Sequence, residues 1–410
     1  MNDQANFTHP GTDLHALGAL VAGNLTPDAI PADQWPAITA LALQHGLAPM
    51  LHWTLKHAGA DIEGNPVWQP LMRTRYQTGI DWALKERAQL EIDAALRSAG
   101  IPAIWLKGSV LARTVYPEPS LRPMSDLDVL VPYEQREAAL EILRELGFDY
   151  YMLQGGKRPV STGDPLLQKS TPHHYALQGG VADSVHLELH FRLLGEDDVL
   201  RLSQLQRIIA SQQQINLADG TPLCALTSEA HLIYLVAHAI LQHGEGNPYL
   251  LRYFDLHRLI TRIPPAWDAV LDLAVALEWT YVLERALLNA VEYFATPVPS
   301  EVFEALISRR PAHENPAQVA RFRGKWHEWE LFRRKLARVS QREKLYMIFR
   351  ELCPTPSYMR HFYRIKSTHP VWPYYVYRWL NRGYKVVRLV GERLASWVSI
   401  QIDSMHRGKP

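Results

Sequence analysis

Three carboxylates and one short basic turn are the residues of this 410-residue chain best able to do chemistry. Asp126 and Asp128 are separated by Leu127, so on an extended segment both carboxylates leave one face while Leu127 and Val129 take the other. Two hard oxygen donors side by side suit Mg²⁺ or Mn²⁺, which would tie them to the phosphates of a nucleotide. The third carboxylate lies in Val185-His186-Leu187-Glu188-Leu189-His190-Phe191. Period-two alternation gives that segment one apolar face and leaves His186, Glu188 and His190 on the other. Glu188 facing Asp126 and Asp128 would complete a cluster able to hold two metals, and it could also act as general base.

The turn is Leu106-Lys107-Gly108-Ser109. A strand running into Gly-Ser at the mouth of a helix offers backbone N–H groups and a positive dipole end to a phosphate. Gly108 lets the backbone approach closely, and the Ser109 hydroxyl adds a donor. Lys107 and Arg122 are cations placed to meet a triphosphate or a leaving pyrophosphate. Each residue also has a plainer reading: Asp-x-Asp as a solvated turn, Ser109 as a helix cap, and Lys107 and Arg122 as structural ion pairs. A zinc site built from His186 and His190 with His173 or His174 is a further alternative, although the preponderance of carboxylates favours a harder metal.

These residues need a scaffold. The first hundred residues read as helical, with amphipathic segments at Leu14–Ala22, Trp35–Leu47 and Val67–Ser98 and a helix stop at Gly100. From Ile101 the pattern turns mixed. Strands are expected at Ile101–Leu106, Leu127–Val131, Phe148–Leu153, His174–Gln178 and Val185–Phe191, with helices at Ser109–Val115 and Tyr133–Leu146. Residues 154–171 read as loop. After Thr227-Ser228-Glu229, which has the form of a helix start, helices return at Tyr249–Thr261, Trp267–Leu277 and Tyr281–Ala295. The expected class is α+β, a small mixed-sheet core embedded between helical regions. Its expected divisions are 1–100 (helical), 101–225 (the core), 226–310 (helices packed on the core) and 311–410 (a basic, aromatic-rich helical tail).

Composition adds bounds. Hydrophobic residues make up 47% and charged residues 21%, which is ordinary for a folded chain. The net charge of +1 conceals an asymmetry: from Arg321 onward there are 20 Lys and Arg against 6 Asp and Glu, while the preceding residues hold 23 against 36. A basic tail with interleaved aromatics such as Tyr363, Trp372, Tyr375 and Trp379 suits an anionic membrane surface or nucleic acid, or equally an acidic body of its own. No uncharged apolar run reaches the roughly 20 residues of a transmembrane segment. No basic-then-apolar leader opens the chain, and Cys224 and Cys353 lie far apart. A cytoplasmic location, with membrane association left open, is the expectation.

Taken together, Leu106-Lys107-Gly108, Arg122-Pro123-Met124-Ser125-Asp126-Leu127-Asp128 and His186-Leu187-Glu188-Leu189-His190 resemble the uncharacterised nucleotidyltransferase family of the DNA polymerase β-like superfamily. His238 and Arg252-Tyr253-Phe254-Asp255-Leu256 resemble the helical region that follows that family's core. The resemblance implies a two-metal site moving a nucleoside monophosphate from an NTP to an unidentified acceptor. Gly108 and Ser109 match its Gly-Ser motif, Asp126 and Asp128 its paired carboxylates, and Glu188 its third. One departure is the sixteen residues between Ser109 and Asp126, lengthened by the loop Tyr116-Pro117-Glu118-Pro119-Ser120. Arg252 and His257 also match the loose Arg-x₄-His spacing of HEPN-type ribonucleases, but Asp255 between them fits the nucleotidyltransferase likeness. The remaining alternative is a scaffold without turnover, acting as an adaptor at a membrane or RNA.

Overall fold

The alternation at Val185–His190 and the apolar runs at Ile104–Leu106 and Leu127–Leu130 become the centre of a seven-stranded mixed sheet in the computed structural model. The structure describes residues 10–150, 174–193, 208–216, 220–243, 249–312, 314 and 341–353, with isolated positions and a helical run up to residue 383. In chain order the strands are β1 (Ile104–Leu106), β2 (Leu127–Leu130), β3 (Asp149–Tyr150), β4 (His174–Gly179), β5 (Val185–His190), β6 (Gln212–Asn216) and β7 (Pro222–Leu226). They lie side by side as β3-β4-β5-β2-β1-β7-β6. β2 runs parallel to β5 and antiparallel to β1, and β1 runs parallel to β7.

The sheet has two covered faces. Trp105, Val129, Leu187 and Leu189 are buried on the side of α4 (Gln69–Ser98) and α6 (Arg136–Glu145), which pack against each other there. The Trp105 indole N–H donates to Asp93 of α4 at 2.8 Å, so the one polar atom of this large buried side chain is satisfied. On the opposite side, Ile104, Leu106 and Leu130 join a continuous apolar core with the helices before and after the sheet. Those helices are α1 (Pro10–Ala22), α2 (Trp35–Gln44), α3 (Ala48–His57), α7 (Ser228–Ala237), α8 (Leu250–Arg262), α9 (Trp267–Leu277), α10 (Thr280–Phe294) and α11 (Ser300–Ser308). The class is α+β, as the sequence leads one to expect. Two strands and two helices were not anticipated: β6, β7, α3 and α11.

The chain divides into two compact units. One comprises residues 1–150 and 170–332 and contains the sheet; the other comprises 151–169 and 333–410. In the second unit α12 (Gln341–Leu352) is amphipathic, and a later helical run carries the rings of Tyr374 and Tyr377 against Tyr363. Much of the basic tail and the expected loop at 154–171 lie outside the described residues, as does His173. Among the described residues no helix is long and apolar enough to cross a membrane.

Candidate active site

β1 ends at Leu106, and the chain turns at once into α5 (Gly108–Thr114). Lys107 makes that turn at φ 49°, a left-handed conformation that side chains other than glycine adopt rarely. Its backbone N–H donates to Nε2 of His231 on α7 at 3.0 Å, which holds the strained residue in place. A Cβ on Gly108 would fall 2.0 Å from Arg122 Nη1 and 2.7 Å from Met124 Sδ. Arg122 cannot retreat, because its Nε and Nη2 donate to both oxygens of Asp255 at 2.9 and 2.7 Å and its Nη1 to the Pro123 carbonyl at 3.2 Å. Gly108→Ala should therefore cost about 1–3 kcal/mol in urea denaturation, the usual range for overpacking. A variant as stable as wild type would mean that the turn relaxes freely.

The carboxylates meet on the sheet. Asp128 lies near the middle of β2 in register with Glu188 on β5, and Asp126 immediately precedes β2. Lys107 Nζ donates to Asp128 Oδ1 at 2.7 Å and stands 3.9 Å from Glu188 Oε2. His190 Nε2 lies 3.0 Å from the same Asp128 oxygen and 3.2 Å from Glu188 Oε2, and His174 Nε2 lies 3.5 Å from Glu188 Oε1.

Burial and charge together set the titrations here. Burial, then the like charges of Asp128 and Glu188, push Asp126 up to about 6. Burial also disfavours the Glu188 carboxylate, but the His190 hydrogen bond and the charges of His174 and Lys107 outweigh it and hold Glu188 well below the usual range. His190 is raised to about 9 against the cost of burial by its bonds to Asp128 and Glu188. Burial lowers His174 to about 4. Three crowded carboxylates outnumber the two cations among them, Lys107 and His190, and the surplus negative charge suits a divalent cation and the phosphates it would carry.

Residues 31–295 match the model of a protein family described as "Uncharacterised nucleotidyltransferase". The chain belongs to that family. A search of curated proteins gives no match. The match spans the sheet, the helix α4 before it and the helices through α10, so the site of this nucleotidyltransferase lies wholly within the family region.

In this nucleotidyltransferase Asp126, Asp128, Glu188 and Lys107 come together as one cluster, with Gly108 beside it. Ser109 is placed differently: it is buried, and its hydroxyl donates to the Leu106 carbonyl at 2.7 Å, closing the turn from within. The Arg122 guanidinium is committed to Asp255 and backs Gly108 from the side of α8. His257, the second residue of the Arg-x₄-His spacing, is buried against Thr296, with Nδ1 to Oγ1 at 3.1 Å, while Arg252 lies over the Tyr249 ring.

Lys85 of α4 escaped the sequence reading. It is 6% exposed and lines a small recess with Thr78, Asp81, Trp82, Arg122 and Met124. Burial lowers its pKa, opposed by Asp81 and by Asp126 of the cluster. A signal was available: Thr78, Trp82, Lys85, Gln89 and Asp93 fall at helical spacing on the buried stripe of α4, where apolar residues are the norm. His231 carried no such signal, and Asp255 was singled out by resemblance but without its partner, since each acts across more than a hundred residues of sequence.

Burial and then the Arg122 charge lower His231 to about 3, with Asp128 opposing. A histidine depressed in the folded state takes up its proton more readily when unfolded. Its contribution to stability is thus present above pH ~6.5 and is lost as pH falls from there toward ~3. Moving from pH 7 to 4.5 should cost about 2 kcal/mol through this group. His231→Gln, whose amide oxygen can still accept from Lys107, should flatten that part of the profile in urea denaturation. An unchanged slope would refute the assignment.

Proposed function

We propose that this nucleotidyltransferase moves a nucleoside monophosphate from an NTP to an acceptor, using a divalent ion held by Asp126, Asp128 and Glu188. Register carries this reading: Asp128 and Glu188 are partners on adjacent parallel strands, and Asp126 stands two residues before Asp128. The donor set fits a divalent cation, being three carboxylates with surplus negative charge. When bound, such an ion supplies charge neutralisation for the triphosphate and activates the acceptor oxygen.

The chain's own residues do the remaining work. Lys107 points its ammonium at the carboxylate cluster, where an incoming phosphate would meet it. Gly108 keeps the turn free of a side chain, so a phosphate can come close to the backbone. Lys85 adds a second cation within the field of Asp126. Glu188, kept ionised, serves as a ligand rather than a base. In the transfer the acceptor hydroxyl gives up its proton to solvent, a bond forms between its oxygen and the α-phosphorus, the α–β bridging bond breaks, and pyrophosphate leaves with its charge met by the two lysines.

Thermal shift with each NTP, with and without Mg²⁺ or Mn²⁺, tests this on wild type and on Asp126→Ala/Asp128→Ala. A nucleotide at a hundred times its Kd stabilises by about 2.7 kcal/mol, a rise of roughly 4 °C at the usual unfolding entropy per residue for the sheet-bearing unit. The expected result is a metal-dependent rise in wild type alone. No rise with any nucleotide would sink the reading.

A further inference from the structure

We infer that His174, Glu188 and His190, together with Asp128, form a mixed nitrogen and oxygen centre for a divalent transition-metal ion, one that discriminates against Mg²⁺. This rests on the reading of Asp128 and Glu188 as metal-holding carboxylates and extends it to the identity of the metal. The histidine expected to join His190 was left open between His173 and His174, with His186 as the other member. The sheet register gives another grouping. β4 and β5 are antiparallel with His174 opposite His190, Ala176 opposite Glu188 and Gln178 opposite His186. Two imidazoles therefore stand beside the Glu188 carboxylate on one face. His186 stands one position further along the strand, next to Gln178.

The ligand atoms already converge. Nitrogens of His174 and His190 and an oxygen of Glu188 all lie within 4.8 Å of one another. The two rings are 5.1 Å apart, and Asp128 Oδ1 reaches His190 Nε2 at 3.0 Å. Both histidines are buried, so their rotamers are set by packing.

The orientation of His190 is the second, independent observation. Its Nδ1 lies 3.2 Å from the Arg192 carbonyl, an acceptor only, so Nδ1 carries a proton and donates it there. Nε2 is thereby aimed at two carboxylate oxygens, which cannot donate to it. An imidazole with one nitrogen tied to a backbone carbonyl and the other directed at carboxylates has the arrangement of a metal ligand with its outer hydrogen bond in place. Nε2 and those oxygens need a positive centre between them: a proton in the metal-free protein, which a metal ion would displace. Two imidazole donors then decide which metals bind well. Transition dications accept nitrogen readily, whereas Mg²⁺ prefers oxygen and gives up water reluctantly.

The test uses the full-length protein stripped of metal. Titration calorimetry with Mn²⁺, Co²⁺ and Mg²⁺ should give Co²⁺ and Mn²⁺ affinities at least about tenfold above that of Mg²⁺. His174→Ala should remove most of that preference, with a loss of roughly 10–100-fold for Co²⁺. His190 is so buried that its variants risk misfolding, so pulsed electron paramagnetic resonance on Mn²⁺-loaded wild type supplies a readout without substitution. Coupling to imidazole ¹⁴N is expected. Absence of ¹⁴N coupling, or equal affinities unaffected by His174→Ala, overturns the inference. If Mg²⁺ with an NTP still stabilises wild type in that case, the transferase reading survives and only the metal assignment falls. If neither metals nor nucleotides bind, both fall.

Discussion

Asp255→Ala should destabilise the protein by about 3–5 kcal/mol, because it strands the Arg122 guanidinium in the interior without its counter-ion. Arg122 and Asp255 are both almost fully buried, joined by two hydrogen bonds, and Tyr116 Oη donates to the same carboxylate at 2.7 Å. Removing one charge leaves the other unsolvated, which is far worse than removing both. Arg122→Met/Asp255→Leu should recover most of the loss in urea denaturation. That double variant also separates two roles for Arg122. If the residue only backs Gly108, nucleotide binding persists once the fold is restored. Loss of binding in a stable double variant would mean that Arg122 reaches the phosphates as well.

The paired aspartates should respond in opposite senses. Asp126→Asn removes a charge that burial and two neighbouring carboxylates disfavour. A carboxyl whose folded pKa is raised to about 6 stabilises only at low pH, and that contribution is lost as pH rises through 6. At pH 7.5 the ionised group is a net cost, so the asparagine variant should be more stable by about 1–2 kcal/mol in metal-free buffer. Asp128→Asn should instead cost about 3 kcal/mol, since Lys107 and His190 both lean on that oxygen. Either substitution should cut nucleotidyl transfer by roughly 10³-fold or more, the several kcal/mol that metal charge stabilisation supplies. Stability gained with transfer lost is the signature of a residue kept for chemistry. Should Asp126→Asn transfer at the wild-type rate, the site lies elsewhere.

The part of this architecture readable from the sequence was the part with strict local periodicity. β5 alternates without a fault, so its faces, and the side on which Glu188 stands, follow from residue order alone. β2 is short, but Asp126 and Asp128 flank Leu127 and fix its orientation. β6 was missed because Gln212-Gln213-Gln214-Ile215-Asn216 has one apolar residue, as an exposed edge strand can afford. α3 carries Pro49 in its first turn, where proline's lost N–H has no helical partner to lose, so a proline there marks a helix start. The partners of Arg122, Lys107 and His190 were beyond reach, because they depend on which strands and helices become neighbours. His174 illustrates this: only the antiparallel register sets it opposite His190 while His186 faces Gln178.

The bond between Arg122 and Asp255 spans 133 residues of sequence, and that separation bears on how the protein is made. A ribosome adding roughly 5–20 residues per second would deliver Asp255 about 7–27 s after Arg122. Throughout that interval the Asp126–Asp128 strand is already synthesised, but the turn at Gly108 lacks the guanidinium clamp that shapes it. A nascent chain therefore carries Asp126 and Asp128 before the turn beside them is finished, and that turn is clamped only when α8 has emerged.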